Sequence, residues 1–545
     1  MPTRRDFLIG AAASGLPPTI TSRVAGPACA ATAASLREDG WDQGRLAHLL
    51  PTVSHDRFLI KASFDRPLAG APELSVGTRR VRGQRNPGDG QFWQFDAAGL
   101  EPAMTYRLAL TGDDGRALCE PWPLSTFPAP TTMPSRLRLM IYTCGGGHDA
   151  LNVGLPAGRI NYLPSALRRR LLARGLSFKP DALIANGDQV YWDLRAPQAS
   201  KGSGASPQGI AYAGRFDRAQ PVFGTANEAA FLRATGPQIV PQYGALCRST
   251  PVFFMQDDHD YFDNDEATDE IITFPPDQFM LNLARATRQL FYPEYLPDPE
   301  RPLGLPGASA ADRPPGVGEA FGTLRFGRLA EILLYDIRRS QTLAGPSAVF
   351  VDGTVEAWLK ARMAAREVVH VVNIPSNPPG WSAGKWGEWY PDILGRDGRL
   401  TIDTPKPYWQ SGWLKQHDRL MAAVAAMPRI PLVISGDLHA IAEGRMQRSG
   451  ALDFSRNPIV VILSGPLGTG DRGWPSAFRG IGATPPVHLE MEENLKPVEE
   501  NGFIIADFTI DGITVRFFRF NYHKQSADEI DRLEPFRVTE LRRPG

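Results

Sequence analysis

The sequence has few cysteines, no excess of either charge and no long hydrophobic run. Its 545 residues include four cysteines, too few for a fold held together by disulfide bonds. Lys and Arg together number 59, as do Asp and Glu, so no net charge attracts nucleic acid or an anionic membrane over a distance. No window approaches the roughly 18 uninterrupted apolar residues of a membrane span. The length and composition predict a globular protein of two or three domains.

The first 33 residues are predicted to be a twin-arginine signal peptide. Arg4 and Arg5 stand before a mildly apolar stretch, and small residues suited to cleavage follow around Cys29. This order predicts a protein that is handled by the twin-arginine export machinery and acts in the periplasm or outside the cell. A chance arginine pair on a tail and a lipid anchor on Cys29 are the alternatives. Removal of Cys29 would leave three cysteines, which favours a chemical role for one of them.

Two structural regions are expected after the signal. Residues 41–130 are predicted to form a small all-β domain, because short alternating runs are separated by turns. The approach to Tyr106 resembles the corner of fibronectin type III and immunoglobulin-like sandwiches, in which a tyrosine fixes the entry to a core strand. Over residues 135–525, apolar strand-like runs alternate with helical stretches, which predicts an α/β catalytic domain. Residues 526–545 are predicted to be a C-terminal tail.

Polar side chains follow several of the apolar runs at the point where each run ends. Asp188 comes after the run 182–185, and Tyr191 stands three residues later. In open α/β sheets, ligands bind at the carboxyl ends of the strands. The two oxygens of Asp188 can bridge two cations, and the phenol of Tyr191 suits a hard trivalent ion. A turn aspartate beside a packed tyrosine is the alternative.

The run 252–255 leads into four consecutive ionisable residues, among them Asp258 and His259. Four such side chains at the end of an apolar strand would be costly to bury without a cation to pair them. The pKa of histidine suits His259 to giving a proton to a leaving alkoxide near neutral pH. A solvated acidic loop is the alternative, and it is the expected state of the acids that follow.

Two further strand ends carry metal-binding residue types. Asp437 and His439 follow the run 432–434 and face the same side of an extended segment, so they can serve two neighbouring ions. Cys144 follows the first run of the α/β region and can bind as a thiolate, whereas a buried inert cysteine is the alternative. The glycines at 145–147 can bring backbone N–H groups close to an anion.

These residues together resemble the calcineurin-like metallophosphoesterases, and within them the alkaline phosphatase D family. That family also carries a twin-arginine signal and a small β domain before the catalytic one. The resemblance implies an α/β fold: a β-sandwich of two mixed sheets flanked by helices, with a dinuclear site at the strand ends. It also implies a role for each residue. Cys144, Tyr191 and His439 hold Fe³⁺, Asp258 and Asp437 hold Ca²⁺, Asp188 bridges both ions, His259 protonates the leaving group, and Arg338 clamps the phosphate. A surface arginine pair is the alternative for Arg338.

The chain departs from the broader superfamily at several of these positions. Cys144 stands where an Asp-x-His motif is usual, Asp258 replaces an asparagine, and Asp437 replaces a histidine. More carboxylates and fewer imidazoles fit calcium better than zinc, and Zn²⁺, Mn²⁺ and Mg²⁺ are the alternatives. The usual histidine after a later strand is missing, and Asn373 or Ser376 stands in its place.

The predicted function is hydrolysis of phosphate mono- or diesters, small or polymeric, by metal-activated water. A phosphodiesterase or phospholipase D-like enzyme acting on lipids, cell-wall polymers or nucleotides would share this site. A non-catalytic metal-containing binding protein is the alternative from another class. We expect a monomer without specific nucleic-acid binding. The aromatic residues within 381–413 either stack on a substrate or pack as an ordinary loop lid.

Overall fold

A computed structural model describes most of the chain. The described residues are 40–153, 155–192, 216–261, 275–306, 314–384, 387–397, 399–403, 406, 408–470, 476 and 480–542. The predicted signal peptide, with Cys29, lies outside them. Within these residues, no helix combines the length and the apolar character needed to cross a membrane. The three cysteines of the described chain, Cys119, Cys144 and Cys247, are buried, and none forms a disulfide with another described residue.

The N-terminal region contains eight strands in two antiparallel four-stranded sheets, in the orders β1-β2-β6-β5 and β4-β3-β7-β8. The strands are β1 (Leu46–Val53), β2 (Arg57–Phe64), β3 (Glu73–Val76), β4 (Arg79–Arg82), β5 (Gln84–Arg85), β6 (Phe92–Ala98), β7 (Thr105–Thr111) and β8 (Trp122–Ser125). The hydroxyl of Tyr106 accepts a hydrogen bond from the backbone N–H of Glu101 at 2.8 Å. The predicted tyrosine corner is therefore confirmed.

The rest of the described chain alternates strands and helices. The first strands are β9 (Leu137–Tyr142), β10 (Ala182–Asn186), β11 (Val252–Met255), β12 (Phe321–Phe326), β13 (Ala330–Tyr335) and β14 (His370–Pro375). The later strands are β17 (Leu432–Ser435), β18 (Ile441–Ser449), β20 (Ile459–Ser464), β21 (Leu489–Val498), β22 (Asn501–Phe508), β23 (Gly512–Phe520) and β24 (Arg537–Arg542). Three strands have only two residues each: β15 (Ile393–Leu394), β16 (Leu400–Thr401) and β19 (Leu452–Asp453). The α-helices are α1 (Ser165–Ser177), α2 (Ala226–Tyr243), α3 (Gln278–Leu290), α4 (Gly353–Ala364) and α5 (Ser411–Ala425).

These strands form two mixed sheets. The six-stranded sheet has the order β11-β10-β9-β22-β23-β24, with β11, β10 and β9 parallel and the others antiparallel. The eight-stranded sheet has the order β12-β13-β14-β17-β20-β18-β19, and β21 pairs with β18. Its strands β13, β14, β17 and β20 are parallel. β24 extends the first sheet into the segment predicted as a tail, and the domain boundaries themselves stay predictions.

The two mixed sheets form a sandwich, as alternation along one strand shows. Leu139 and Ile141 of β9 belong to a core shared with the inner residues of β13, β17 and β22. Met140 and Tyr142, which point the other way, pack with residues of α1 and α2. Side chains of a strand alternate between its faces, so one face of the strand builds the space between the sheets and the other supports the helices. The predicted α/β sandwich flanked by helices and preceded by an all-β region is confirmed.

The aromatic insert is mostly a packed structure. Trp381, Trp389 and Tyr390 have 2% of their surface exposed or less, and so does Trp413 at the start of α5. The ring of Trp413 stacks on Phe350, with centroids 4.6 Å apart. This burial favours the alternative in which these rings form the core of a loop lid rather than a surface for stacking a substrate.

Candidate metal centre

Four strand ends deliver the predicted ligands to one place. Cys144 follows β9, Asp188 follows β10 and Asp258 follows β11, which are neighbouring parallel strands of the six-stranded sheet. Asp437 follows β17 of the other sheet. The carboxyl ends of parallel strands lie at the same edge of a sheet, so these side chains meet at one edge of the sandwich.

Two groups of metal-ligating side chains share one residue. The first consists of Cys144, Asp188 and His439, and the second of Asp188, Asp257, Asp258 and Asp437. Within each group, one ligand atom from every residue lies within 4.8 Å of the others. A third group of the same kind contains Asp188, Asp258 and His259. The described structure thus brings the predicted ligands together, with Asp188 common to every group.

The two oxygens of Asp188 face different neighbours. Oδ2 lies 3.4 Å from Sγ of Cys144 and accepts a hydrogen bond from the hydroxyl of Tyr191 at 3.3 Å. Oδ1 accepts the backbone N–H of His259 at 3.3 Å. This carboxylate therefore joins the thiol and phenol side of the cluster to the side that carries His259, which is the arrangement a bridging ligand needs.

Backbone strain is concentrated in the same cluster. Seven non-glycine residues of the described chain have a positive φ, and four of them are predicted ligands. The four are Cys144 at 49°, Asp188 at 57°, Asp437 at 66° and His439 at 51°. Such conformations cost free energy and persist where the surrounding structure enforces them, most often at functional sites. The strain indicates that the surrounding structure enforces the placement of these side chains.

The electrostatics of the cluster fit cations. Burial and the neighbouring carboxylate of Asp258 raise the pKa of Asp188 well above its ordinary value. Burial and then the charge of Asp188 likewise raise the pKa of the Cys144 thiol and of the Tyr191 phenol. A cation among these groups would offset both the burial and the mutual repulsion and would favour carboxylate, thiolate and phenolate. The donor set of soft sulfur, phenol, imidazole and crowded carboxylates fits two ions of different character.

Two residues of the predicted acidic run have contacts that sequence reasoning did not assign. Asp260 accepts the backbone N–H groups of Asp188, Gln189, Val190 and Asp257 at 2.7–3.0 Å. It thus fixes two ligand-bearing loops against each other, and burial raises its pKa to about 7. Asp257 belongs to the carboxylate group and also pairs with Arg338 at 2.8 Å. The run of four ionisable residues was the available signal, but periodicity did not show which of them point inward.

Arg338 is buried beside the carboxylate group of the cluster. Its Nε donates to Oδ1 of Asp257 at 2.8 Å and its Nη1 donates to the carbonyl of Gly387 at 2.7 Å. The side chain has no exposed surface. These contacts place Arg338 next to Asp257, and a direct contact with phosphate stays a prediction.

The segment after β14 contributes an asparagine that the sequence did not single out. Nδ2 of Asn377 donates to Oδ2 of Asp437 at 2.7 Å. Ser376 instead accepts the backbone N–H of Ile337. Asn373 is fully buried within the strand. The side chain that contacts Asp437 is therefore Asn377, two residues beyond β14. Neither of the two residues considered from the sequence makes this contact.

The backbone amides of the glycine run beside Cys144 form hydrogen bonds within the protein. The N–H of Gly146 donates to the carbonyl of Asp188 at 2.9 Å, and that of Gly147 donates to Oε1 of Gln238 at 2.8 Å. The expectation that these two amides bind an anion is therefore wrong. A Cβ on Gly146 would lie 2.8 Å from the backbone of Gln189, so glycine is needed here for close packing of two loops.

Comparison with solved structures matches this architecture. The structure titled "Structure of PhoD" matches with a TM-score of 0.58 and 12% identity, over 91% of this chain and 90% of that chain. The purple acid phosphatase PPD1 from yellow lupin (Lupinus luteus) seeds matches with a TM-score of 0.52 and 10% identity, over 92% of this chain and 74% of that chain. This chain has a PhoD-like metallophosphoesterase fold. No family model and no curated protein sequence matches it.

The metallophosphoesterase fold and the buried Asp/His cluster are independent observations. The match rests on backbone geometry, whereas the cluster follows from side chains at strand ends. Identities of 10–12% establish the fold alone. The cluster therefore carries the chemical argument.

Proposed function

We propose that this protein is a metal-dependent phosphoesterase that hydrolyses phosphate mono- or diesters at a site for two cations. The observation that carries the proposal is the position of Asp188, which belongs to every group of candidate ligands in the described structure. A carboxylate common to a thiol–imidazole group and a carboxylate group is suited to hold two ions side by side. The metallophosphoesterase fold supports this reading of the cluster.

The two groups suit different ions. Cys144, Tyr191 and His439 would hold a trivalent ion such as Fe³⁺, because phenolate binds hard trivalent ions well. Asp258 and Asp437 would hold a divalent ion, and their oxygens favour Ca²⁺, with Mg²⁺, Mn²⁺ and Zn²⁺ as the other ions to test.

Bound ions would supply charge neutralisation at the phosphoryl group and a water of lowered pKa. The side chains of the protein would orient the metal ligands and provide a proton for the leaving oxygen. His259 is half-buried, and its ring packs on that of Tyr191 with centroids 4.1 Å apart. One ring nitrogen of His259 lies within 4.8 Å of carboxylate oxygens of Asp188 and Asp258, so its imidazole lies beside the cluster, where it would protonate the leaving oxygen. Arg338 would act by orienting Asp257.

The first test compares activity and metal content. Asp188→Asn and His259→Ala are assayed with an aryl phosphate and an aryl phosphodiester, beside the control Asp397→Asn, whose carboxylate accepts an exposed backbone N–H. Asp188→Asn should lose both bound metal and turnover, whereas His259→Ala should retain metal and lose turnover about 10²–10⁴-fold. Unchanged turnover in both variants would discard the site. The ratio of the two activities decides between a phosphatase and a phosphodiesterase.

The ferric ion and the export route have separate tests. A ferric phenolate absorbs visible light, so the iron-loaded protein should be coloured and Tyr191→Phe should bleach it. A colourless iron-loaded protein would contradict this ligand assignment.

Export is proposed from residues 1–33 alone. Replacing Arg4 and Arg5 by lysine should keep the full-length precursor in the cytoplasm, and continued export would contradict the twin-arginine route.

A further inference from the structure

One buried side chain of α2 connects two loops of the metal centre. Oε1 of Gln238 accepts the backbone N–H of Gly147 at 2.8 Å and that of Tyr191 at 2.9 Å. Its Nε2 donates to the carbonyl of Tyr191 at 2.9 Å and to that of Ala234 at 2.9 Å. Gln238 is 1% exposed. A single amide thus satisfies both backbone groups of Tyr191 and joins the loop that carries Tyr191 to the loop that carries Cys144.

The helix around Gln238 is adapted to this contact. Pro237 lies inside α2, and proline has no N–H to donate to the carbonyl of Arg233 one turn earlier. The carbonyl of Arg233 lies beside His148, which follows Gly147 in the Cys144 loop. The gap in the helix hydrogen bonding therefore falls next to the same loop that Gln238 holds.

The loops that carry Cys144 and Tyr191 are closely packed. A Cβ on Gly146 would lie 2.8 Å from the Tyr191 ring, and one on Gly147 would lie 2.3 Å from the Tyr162 ring. The loops touch without room for an intervening side chain or water. Direct backbone hydrogen bonds from Cys144 to Gly187 and from Gly146 to Asp188 join the two loops. Gln238 adds three hydrogen bonds to loop backbone, at Gly147 and Tyr191.

We propose that Gln238 is a positioning residue for the thiol and phenol side of the metal centre. Its amide sets the distance between the loops that carry Cys144 and Tyr191, and so sets where the phenol hydroxyl meets Asp188 and His439. The catalytic meaning of this role rests on the proposed function, whereas the positioning itself can be measured in metal-free protein.

The test uses three variants of the full chain. Gln238→Leu removes all four hydrogen bonds at similar volume. Gln238→Glu retains the acceptor for Gly147 and Tyr191 and loses the amide donor. Thr235→Val is the matched control, because Thr235 is fully buried in the same helix and its hydroxyl donates only to the helix carbonyl of Phe231 among the contacts of the described structure.

Amide hydrogen exchange of metal-free protein is the first measurement. In Gln238→Leu, the amides of Gly147 and Tyr191 should exchange roughly three- to tenfold faster relative to those of strand β17. They should be unchanged in Thr235→Val and largely protected in Gln238→Glu. Equal acceleration in Thr235→Val, or none in Gln238→Leu, would overturn the proposal.

The second measurement uses iron-loaded protein and its visible absorption. Displacement of the phenol should shift or weaken the band in Gln238→Leu, and Gln238→Glu should keep most of it. An unshifted band in Gln238→Leu would show that the amide does not set the phenol position. If wild-type protein has no band, the ferric assignment fails, whereas the exchange data still decide the role of Gln238.

Discussion

The hydroxyl of Tyr191 lies 3.2 Å from Nε2 of His439, although the two residues are 248 positions apart in the sequence. Tyr191 follows β10 of the six-stranded sheet, and His439 follows β17 of the eight-stranded sheet. The contact therefore spans the two sheets of the sandwich at their common edge. A site of this kind forms only when the two sheets pack in the correct relative position, so its geometry depends on the whole sandwich.

The crowding of carboxylates around Asp188 leads to a prediction about stability. With chelator present, Asp188→Asn should be more stable than wild type by about 0.5–2 kcal/mol, because one of several buried carboxylates is neutralised and functional sites are held at a cost in stability. Added divalent cation should stabilise wild type and leave the variant almost unchanged. Urea unfolding with chelator and with cation measures both effects. A variant less stable than wild type in chelator would contradict the picture of mutual repulsion.

Asp260 is expected to support the site without binding an ion. Its carboxylate accepts four backbone N–H groups, and Asp260→Asn replaces one acceptor oxygen by a donor that faces two of them. We expect a loss of about 1–3 kcal/mol in the free energy of unfolding, since buried amides left without acceptors are costly. Denaturant unfolding measures it, with the exposed Asp397→Asn as the control. A loss no larger than in the control would show that the four bonds contribute little.

The sequence predicted those parts of the structure that depend on local pattern. Apolar runs indicate the strands, and the rule that ligands lie at strand ends places Asp188, Asp258 and Asp437 at one edge from the sequence alone. Contacts between residues that are distant in the sequence could not be predicted from such patterns. Asn377 meets Asp437 across 60 positions, and Gln238 meets Tyr191 across 47. Neither contact leaves a periodic signal, because each depends on how distant segments pack together: two loops in the first case, and helix α2 against a loop in the second.

Burial was the other property that the sequence did not provide. Arg338 and Asp257 form a fully buried pair, whereas a strand-end arginine in sequence is equally compatible with a surface position. The aromatic insert had two interpretations for the same reason, and burial of Trp381, Trp389 and Trp413 favours packing.

A buried ion pair joins the N-terminal β region to the α/β region. Nζ of Lys61 lies 3.1 Å from Oε2 of Glu294, and neither side chain has exposed surface. Lys61→Met should lower the free energy of unfolding by about 3–5 kcal/mol, because it leaves Glu294 buried without its cation. Combining it with Glu294→Gln should recover much of this loss.

The exposed pair of Arg80 and Glu73, at 2.7 Å in the same β region, is the matched control for that cycle. Arg80→Met should cost less than about 1 kcal/mol, since solvent screens such pairs. Urea midpoints of the single and double variants give the coupling free energy. Equal costs for Lys61→Met and Arg80→Met would show that the buried pair does not hold the two regions together.

His48, on β1 near that ion pair, should make stability depend on pH. Burial lowers its pKa from 6.5 to about 4, and the charge of Lys61 adds to the effect. Its Nδ1 lies 2.5 Å from Oγ of Ser63, and its Nε2 lies 3.3 Å from the carbonyl of Phe291. The folded chain therefore keeps this imidazole neutral at a pH where the unfolded chain has already bound a proton. The unfolded state binds more protons between these values, so the contribution of His48 is full above pH 6.5 and falls as the pH drops towards 4.

The difference in pKa corresponds to about 3 kcal/mol of stability lost by pH 4. His48→Gln keeps a polar side chain and cannot take up the proton, so its stability should fall less steeply over this range than that of wild type. Chemical unfolding at several pH values between 7 and 4.5 measures the two slopes. Parallel slopes would mean that His48 titrates alike in the folded and unfolded chains, and that its burial beside Lys61 has no energetic consequence in solution.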